Sequence, residues 1–193
     1  AILSASGIIT KQSLENTCMV GELSLDGSLK PVKGVLPLAV AARDNRFERL
    51  LVPAENAREA AVVDGVSVVP IRSLPEAVGC LRGEEEIPPV VVDRREMFRS
   101  HNRYDNDFSD VRGQAHAKRA LEVATAGGHN AIMIGPPGSG KTMLAKRIPT
   151  ILPEMSFEEA LETTKIHSVA GKMDGRPLIA TRPFRSPHHT ISD

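Results

Sequence analysis

The sequence predicts an α/β protein made of two α/β segments joined by a linker, and three observations support this fold class. Residues 1–82 alternate apolar strand-like and helix-like stretches. Residues 83–108 are rich in proline, acidic and other polar side chains. Residues 109–193 contain a Gly/Pro loop between an apolar stretch and a helix-like one. Because alternating strands and helices cover a sheet with helices, and polar Pro-rich stretches commonly connect domains, we expect domains at residues 1–82 and 109–193.

Composition excludes several classes of protein. Of 193 residues, 41% are hydrophobic and 25% are charged, with 24 Lys and Arg against 24 Asp and Glu. This balance is typical of a folded chain and not of a disordered one. No apolar run approaches the ~18 residues of a membrane span. Cys18 and Cys80 are far apart and show no metal-ligand spacing, which favours a reduced, cytosolic compartment.

Charge is distributed unevenly along the chain. Residues 1–93 carry 9 basic and 13 acidic residues, whereas residues 94–193 carry 15 basic and 11 acidic ones. A basic second half is mild support for an anionic partner, although a chance distribution explains the charge alone equally well. The opening residues lack both an initial Met and a basic region, so we interpret them as a chain entered partway through an element and not as a signal peptide.

The elements of the first segment follow from turn and cap signals. The Asp26-Gly27 turn predicts a hairpin between two apolar stretches, and Ser73 with Glu76 has the spacing of a helix capping box. The predicted hairpin strands are 18–25 and 29–32, the further strands are 50–52 and 66–71, and the helices are 35–45, 54–61 and 73–81. Val90–Val92 followed by Asp93 is similar to a metal-holding strand, but the flanking prolines favour a linker.

The second segment begins with a strong helix pattern over residues 114–126 and an apolar strand pattern over residues 130–134. A loop at 135–142 then leads into a helix that continues through Ile148. A further helix runs from Ser156, whose capping-box partner is Glu159, to about His167. Strand, loop and helix in this order are the expected context of a phosphate-binding loop.

One motif carries clear chemistry. It fits the pattern G-x-x-x-x-G-K-[ST] and consists of Gly135, Pro136, Pro137, Gly138, Ser139, Gly140, Lys141 and Thr142. Glycines allow backbone N–H groups to close around a triphosphate, and the following helix turns its positive end towards the anion. Lys141 would bridge the β- and γ-phosphates, and the Thr142 hydroxyl would ligate Mg²⁺. The motif predicts a site for a nucleoside triphosphate with Mg²⁺.

The remaining signals are weaker. Hydrolysis needs a second strand that ends in an acid, but Pro177–Ala180 is followed by Thr181 and Arg182. We therefore expect the catalytic acid to lie past the end of this chain, and ATP turnover by it to be poor or absent. Arg182 and Arg185 lie in a basic, Pro-stiffened loop that is a candidate DNA contact, with an ordinary solvated loop as the alternative. His188 and His189 are a weak candidate metal site. With 3% aromatic residues and no Trp, a base-stacking platform is not expected.

Several runs resemble known families. Residues 107–120, the Gly127–Asn130 run, the phosphate loop, residues 166–171 and residues 182–193 are similar to the start of a magnesium-chelatase-type AAA+ module. Residues 21–27, 31–34 and 51–56 resemble the end of a Lon-protease-like domain. This order of domains is that of the ComM (YifB-like) competence proteins.

The resemblance implies a bacterial, cytoplasmic, ring-forming ATPase, a hexamer, that acts on DNA in branch migration during natural transformation. It also implies that Val111 and Gly113 border the adenine, and that the acidic strand, sensors and arginine finger lie past Asp193. Where Lon-type proteases have a catalytic lysine, this sequence has Leu36, so protease activity is not expected. The alternatives are the ATPase subunit of a magnesium chelatase and a non-catalytic nucleotide-binding or interaction module.

Overall fold

The computed structural model describes residues 2–186, which form a mixed α/β structure with a parallel sheet. The α-helices of the described residues are α1 (Ile2–Ala5), α2 (Lys11–Leu14), α3 (Val35–Asp44), α4 (Ala57–Ala60), α5 (Leu74–Arg82), α6 (Arg94–His101), α7 (Ala115–Ala126), α8 (Lys141–Arg147) and α9 (Phe157–Val169). Short 3₁₀ turns lie at Ala54–Asn56, Phe108–Asp110 and Ile148–Ile151. None of these helices is long and apolar enough to cross a membrane.

Two sheets lie in the first half of the chain. The strands β1 (Thr17–Met19), β4 (Arg49–Pro53) and β5 (Ser67–Ile71) form a parallel sheet in the order β1-β4-β5. The strands β2 (Glu22–Leu23) and β3 (Leu29–Lys30) form an antiparallel pair. The predicted hairpin is therefore present but short, because β1 leaves it to pair with β4. Parallel neighbouring strands need a crossover connection, which is usually a helix. Between β1 and β4 this connection contains the hairpin and α3.

Caps and turns explain where the helices of the first half begin and end. Ser73 caps α5 by accepting the N–H of Glu76, as predicted, but the Glu76 carboxylate accepts from the N–H of Arg72 and not from that of Ser73. The predicted helix over 54–61 begins with a 3₁₀ turn and becomes α-helical only at Ala57. Helix α3 agrees with its prediction to one residue at its end.

The main core is shared by residues from both halves of the chain. Val35 and Leu36 of α3 are fully buried, and they belong to the same apolar cluster as Met155, Ala160 and Leu178. Helix α9 packs on α3, and the Gly34 N–H donates to the Ser168 carbonyl at 3.1 Å. The apolar stretch near residue 178 is thus part of the core.

The segment predicted as a linker contains helix α6, which the sequence analysis did not predict. Asp93 caps α6 by accepting the N–H groups of Arg95 and Glu96, and Met97 is buried in the main core. The Val90 N–H donates to the Val68 carbonyl at 2.8 Å, which attaches this segment to β5. Asp93 therefore has a capping role here.

The strand predicted over residues 130–134 is wrong in this structure. The backbone there is extended but pairs with no strand of the described residues, and the side chains of Ile132 and Ile134 are 86% and 90% exposed. A strand needs a neighbour to satisfy its backbone N–H and C=O groups. The three parallel strands of the first half pair only with one another, so the apolar pattern alone does not produce a strand.

Candidate functional site

The glycine-rich loop is shaped by two left-handed residues. Gly138 and Gly140 have φ values of 79° and 84°, a region in which a side chain is strained. The second of them is the N-cap residue of α8, so the loop passes directly into the helix at Lys141. The sequence prediction of a loop that opens a helix is confirmed here.

The ammonium group of Lys141 lies inside the loop. Its Nζ donates to the carbonyls of Gly135 and Pro136 at 2.7 and 2.8 Å, and to the Ser139 hydroxyl at 3.2 Å. All three partners are neutral oxygens of the loop itself. The loop therefore holds one positive charge that forms no ion pair with a carboxylate of residues 2–186, which suits it to an anionic group.

Beside the loop lies a cleft of about 390 Å³. Its lining is mainly apolar and comes from α7, the extended stretch 131–134, the loop and α8. Gln114 also lines this cleft, and its Nε2 donates to the Ser139 carbonyl at 3.0 Å. Gln114 has a left-handed backbone, with φ at 51°, which is uncommon outside glycine. Gln114 was not predicted as a site residue, because its role depends on a contact with a residue 25 positions away.

Val111 and Gly113 do not line the cleft. Val111 is buried in a small apolar cluster with Phe108, Leu121 and Leu144, the last of which belongs to α8. Its carbonyl accepts a hydrogen bond from Lys118 Nζ at 3.1 Å. Gly113 is exposed. A contact of these two residues with an adenine stays a prediction.

Thr142 is the residue of this loop that fits a metal bound together with a nucleotide. Thr142 is exposed in the first turn of α8 and can offer its hydroxyl as an Mg²⁺ ligand. Residues 2–186 contain no cluster of three or more His, Cys, Asp or Glu side chains able to hold a metal ion. A divalent cation at this loop would accordingly depend on Thr142, phosphate oxygens and water.

The candidate DNA contacts differ in their surroundings. Arg182 Nε donates to the Pro153 carbonyl at 2.7 Å, and its guanidinium forms an ion pair with Glu159 at 3.2 Å. Arg185 is exposed. His188 and His189, the weak candidate metal site, lie outside the described residues.

A buried contact joins the two halves of the chain. Ser168 is 2% exposed, and its hydroxyl donates to Glu59 Oε1 at 2.5 Å. Burial raises the pKa of the Glu59 carboxyl above its ordinary value, while hydrogen bonds from Ser168 and from the backbone of Leu36 partly oppose this shift. Leu36, from which the lack of protease activity was predicted, is fully buried in the main core.

Comparison with known protein families gives two matches. The model described as magnesium chelatase, subunit ChlI, matches residues 107–193. A second model, described as subunit ChlI of Mg-chelatase, matches residues 1–56. Over 82 residues the chain is also 33% identical to Lon protease 2 of Bacillus subtilis, which covers 40% of this chain and 15% of that protein. The likeness to Lon proteases is therefore partial.

Three relatives match essentially the whole chain. An uncharacterized protein of Mycobacterium tuberculosis is 45% identical over 193 residues, which is 100% of this chain and 38% of the relative. Competence protein ComM of Haemophilus influenzae is 39% identical over 99% of this chain and 38% of its own length. The YifB protein of Escherichia coli is 38% identical over 100% of this chain and 37% of its own length. The chain thus spans just over a third of these relatives, and over its whole length it is homologous to ComM- and YifB-like proteins, with matches to magnesium chelatase subunit ChlI over residues 1–56 and 107–193.

Proposed function

We propose that this chain is the ATP-binding part of an AAA+ ATPase. The observation that carries the proposal is the Lys141 ammonium group, held inside a glycine loop by three neutral oxygens within 3.2 Å. Backbone N–H groups of residues 138–142 and the Lys141 ammonium group would hold the phosphates, and Thr142 would ligate Mg²⁺. When bound, Mg²⁺ would neutralise phosphate charge.

The whole protein, in this proposal, is a ring-forming cytoplasmic ATPase, a hexamer, that acts on DNA during natural transformation. Support comes from the similarity to competence protein ComM and from the basic second half of the chain. Residues 1–82 would be a Lon-like domain without protease activity, residues 83–108 a linker, and residues 109–193 the beginning of the AAA+ domain. No Asp or Glu of the described residues lines the cleft beside the loop, so we expect this chain alone to bind ATP but to hydrolyse it slowly.

Lys141→Ala tests the nucleotide site directly. A hydrogen bond to a charged group contributes about 1.5–3 kcal/mol, so the variant should bind a fluorescent ATP analogue about 10- to 150-fold more weakly. Lys146→Ala is a matched control, because Lys146 is an exposed lysine of the same helix. Equal affinity of wild type and Lys141→Ala would refute the site.

In the loop after residue 181, Arg185 is the stronger of the two candidate DNA contacts. The Arg182 guanidinium is engaged by Pro153 and Glu159, so Arg182 would chiefly fix the path of this loop. Arg185→Ala should lower DNA affinity and reduce its dependence on salt. If Arg182→Ala alone had that effect, Arg182 would be the contact residue.

The ATPase subunit of a magnesium chelatase is the second candidate, since both matching family models carry that description. The partial likeness to Lon protease 2 favours the first candidate. ATP turnover of the whole protein, measured with and without branched DNA, separates the two. Stimulation by DNA supports the DNA-acting ATPase, whereas turnover indifferent to DNA supports the chelatase.

A further inference from the structure

Helices α6 and α9 form a pocket that combines aromatic rings with positive charge. It has a volume of about 320 Å³ and is lined by Arg94, Arg95, Phe98, Arg99 and Phe157. The lining thus consists of three guanidinium groups and two phenyl rings, with no acidic side chain. No base-stacking platform was predicted from the sequence, and this grouping was missed because Phe157 is distant from α6 along the chain.

The two rings are held in a fixed arrangement. Phe98 and Phe157 meet edge to face, with ring centroids 6.4 Å apart. The Arg94 guanidinium lies over the Phe157 ring at 5.5 Å and also pairs with Asp64. Both rings are half-buried, so part of each aromatic surface remains open to a ligand.

Arg95 and Arg99 supply positive charge to the pocket. Both are exposed, and neither forms an ion pair with another described residue. They stand four residues apart on one helix, where like charges repel each other and destabilise the helix. Residues 94–103 contain four Arg and a single Glu. This concentration of charge favours an anionic ligand.

A nucleotide unit satisfies both features of the pocket. Its base offers a planar surface for the phenyl rings, and its phosphate offers oxygens for the guanidinium groups. Unpaired bases are open to such stacking, whereas the bases of a duplex are already stacked. We propose that the pocket of α6 and α9 binds a nucleotide of single-stranded DNA, with Phe98 and Phe157 contacting the base and Arg95 and Arg99 the phosphates. The choice of DNA rests on the proposed function.

The test is binding of fluorescein-labelled oligo(dT) to this chain, followed by anisotropy at several salt concentrations. Arg95→Ala/Arg99→Ala should bind more weakly and lower the slope of log K against log salt by about 1.4, that is, about 0.7 for each lost phosphate contact. Phe98→Leu should weaken binding by about 5- to 150-fold while leaving the slope unchanged. Arg72→Ala/Arg119→Ala removes two exposed arginines outside the pocket and is the matched control.

Different results overturn different parts of the proposal. Two results would mean that the pocket only attracts anions. One is an equal loss of oligo(dT) affinity in the Arg72→Ala/Arg119→Ala control. The other is competition by polyglutamate together with wild-type affinity of Phe98→Leu for oligo(dT). Equal affinity for duplex DNA would refute the preference for single strands. Full competition by free dTMP at matched nucleotide concentration would assign the pocket to mononucleotides.

Folding and the ATP site are checked separately. Circular dichroism shows whether Phe98→Leu is folded, and Phe157→Leu provides a second aromatic variant. Binding of the ATP analogue should be unchanged in all pocket variants. If wild type binds ATP and oligo(dT), and the pocket variants bind each of them with the same affinity as wild type, the pocket assignment fails and the proposed function stands. If wild type binds no DNA, both this inference and the DNA part of the proposed function fail.

Discussion

The hydrogen bond between Ser168 and Glu59 leads us to expect that Ser168→Ala lowers the free energy of unfolding. It joins the last turn of α9 to α4, across 109 residues of sequence, and the Ser168 hydroxyl lies 2.5 Å from the carboxylate. Ser168→Ala removes this donor and leaves the partly buried carboxylate with the backbone N–H of Leu36. A hydrogen bond to a charged group contributes about 1.5–3 kcal/mol, so we expect a loss of that size at neutral pH.

The pH dependence of this loss has a definite sign. Burial raises the native pKa of Glu59, so the folded chain binds this proton more tightly than the unfolded chain does. The contribution of Glu59 is therefore most favourable below its unfolded pKa and declines as the pH rises through the raised native pKa. Because the Ser168 hydroxyl favours the ionised carboxylate, Ser168→Ala should cost less stability in acid than at neutral pH.

Urea unfolding at several pH values measures both effects. For a chain of this length, each kcal/mol corresponds to about 2–4 °C in Tm, so thermal melts provide a second reading. Ser100→Ala removes a hydroxyl that donates to the Met97 carbonyl of the same helix at 3.0 Å; because Ser100 is an exposed residue, this variant should stay within about 0.5 kcal/mol of wild type. Glu59→Gln completes a double-mutant cycle and should flatten the pH dependence. A coupling energy near zero, or a loss that grows in acid, would refute the reasoning.

Three further substitutions test the packing of the core and the backbone of the glycine-rich loop, each by urea unfolding. Thr164→Val should cost about 1–3 kcal/mol, because Thr164 is fully buried and its hydroxyl accepts the Ile179 N–H at 2.9 Å; the same stability as wild type would contradict that role. Leu36→Ala should cost about 2–5 kcal/mol, since Leu36 is fully buried; a loss below 1 kcal/mol would show that the site collapses freely. Gly140→Ala should destabilise the loop by more than about 1 kcal/mol, because φ is 84° and a Cβ would lie 3.1 Å from Gln114 Nε2; a neutral result would mean that the loop adopts another backbone conformation.

Local signals predicted those elements that depend on neighbouring residues. The capping box of Ser156 and Glu159 is complete, with both reciprocal hydrogen bonds present, and it begins α9 where expected. Likewise, β4 and β5 fall within a residue or two of their predicted ranges. Caps, turns and short apolar runs act over three to six residues, which is why their positions can be obtained from the sequence.

Features that depend on distant contacts were missed. Gln114 reaches Ser139, and Phe157 meets α6, only because the chain folds back on itself. The apolar run 130–134 shows the opposite failure, since its composition predicts a strand but no strand of the described residues lies beside it. Strand formation depends on a partner, and hydrophobic pattern alone does not provide one.

Helix α9 connects the features on which these proposals depend. Its first turn contributes Phe157 to the aromatic pocket and Glu159 to the ion pair with Arg182, and its last turn holds Ser168 against Glu59. The 3₁₀ turn Ile148–Ile151 follows α8 immediately, so only five residues separate it from α9. A movement of α8 on binding of nucleotide would therefore reach α9 through a short piece of chain. If the aromatic pocket binds single-stranded DNA, ATP should change the affinity for oligo(dT), and DNA should change the affinity for ATP by the same factor, because such coupling is reciprocal.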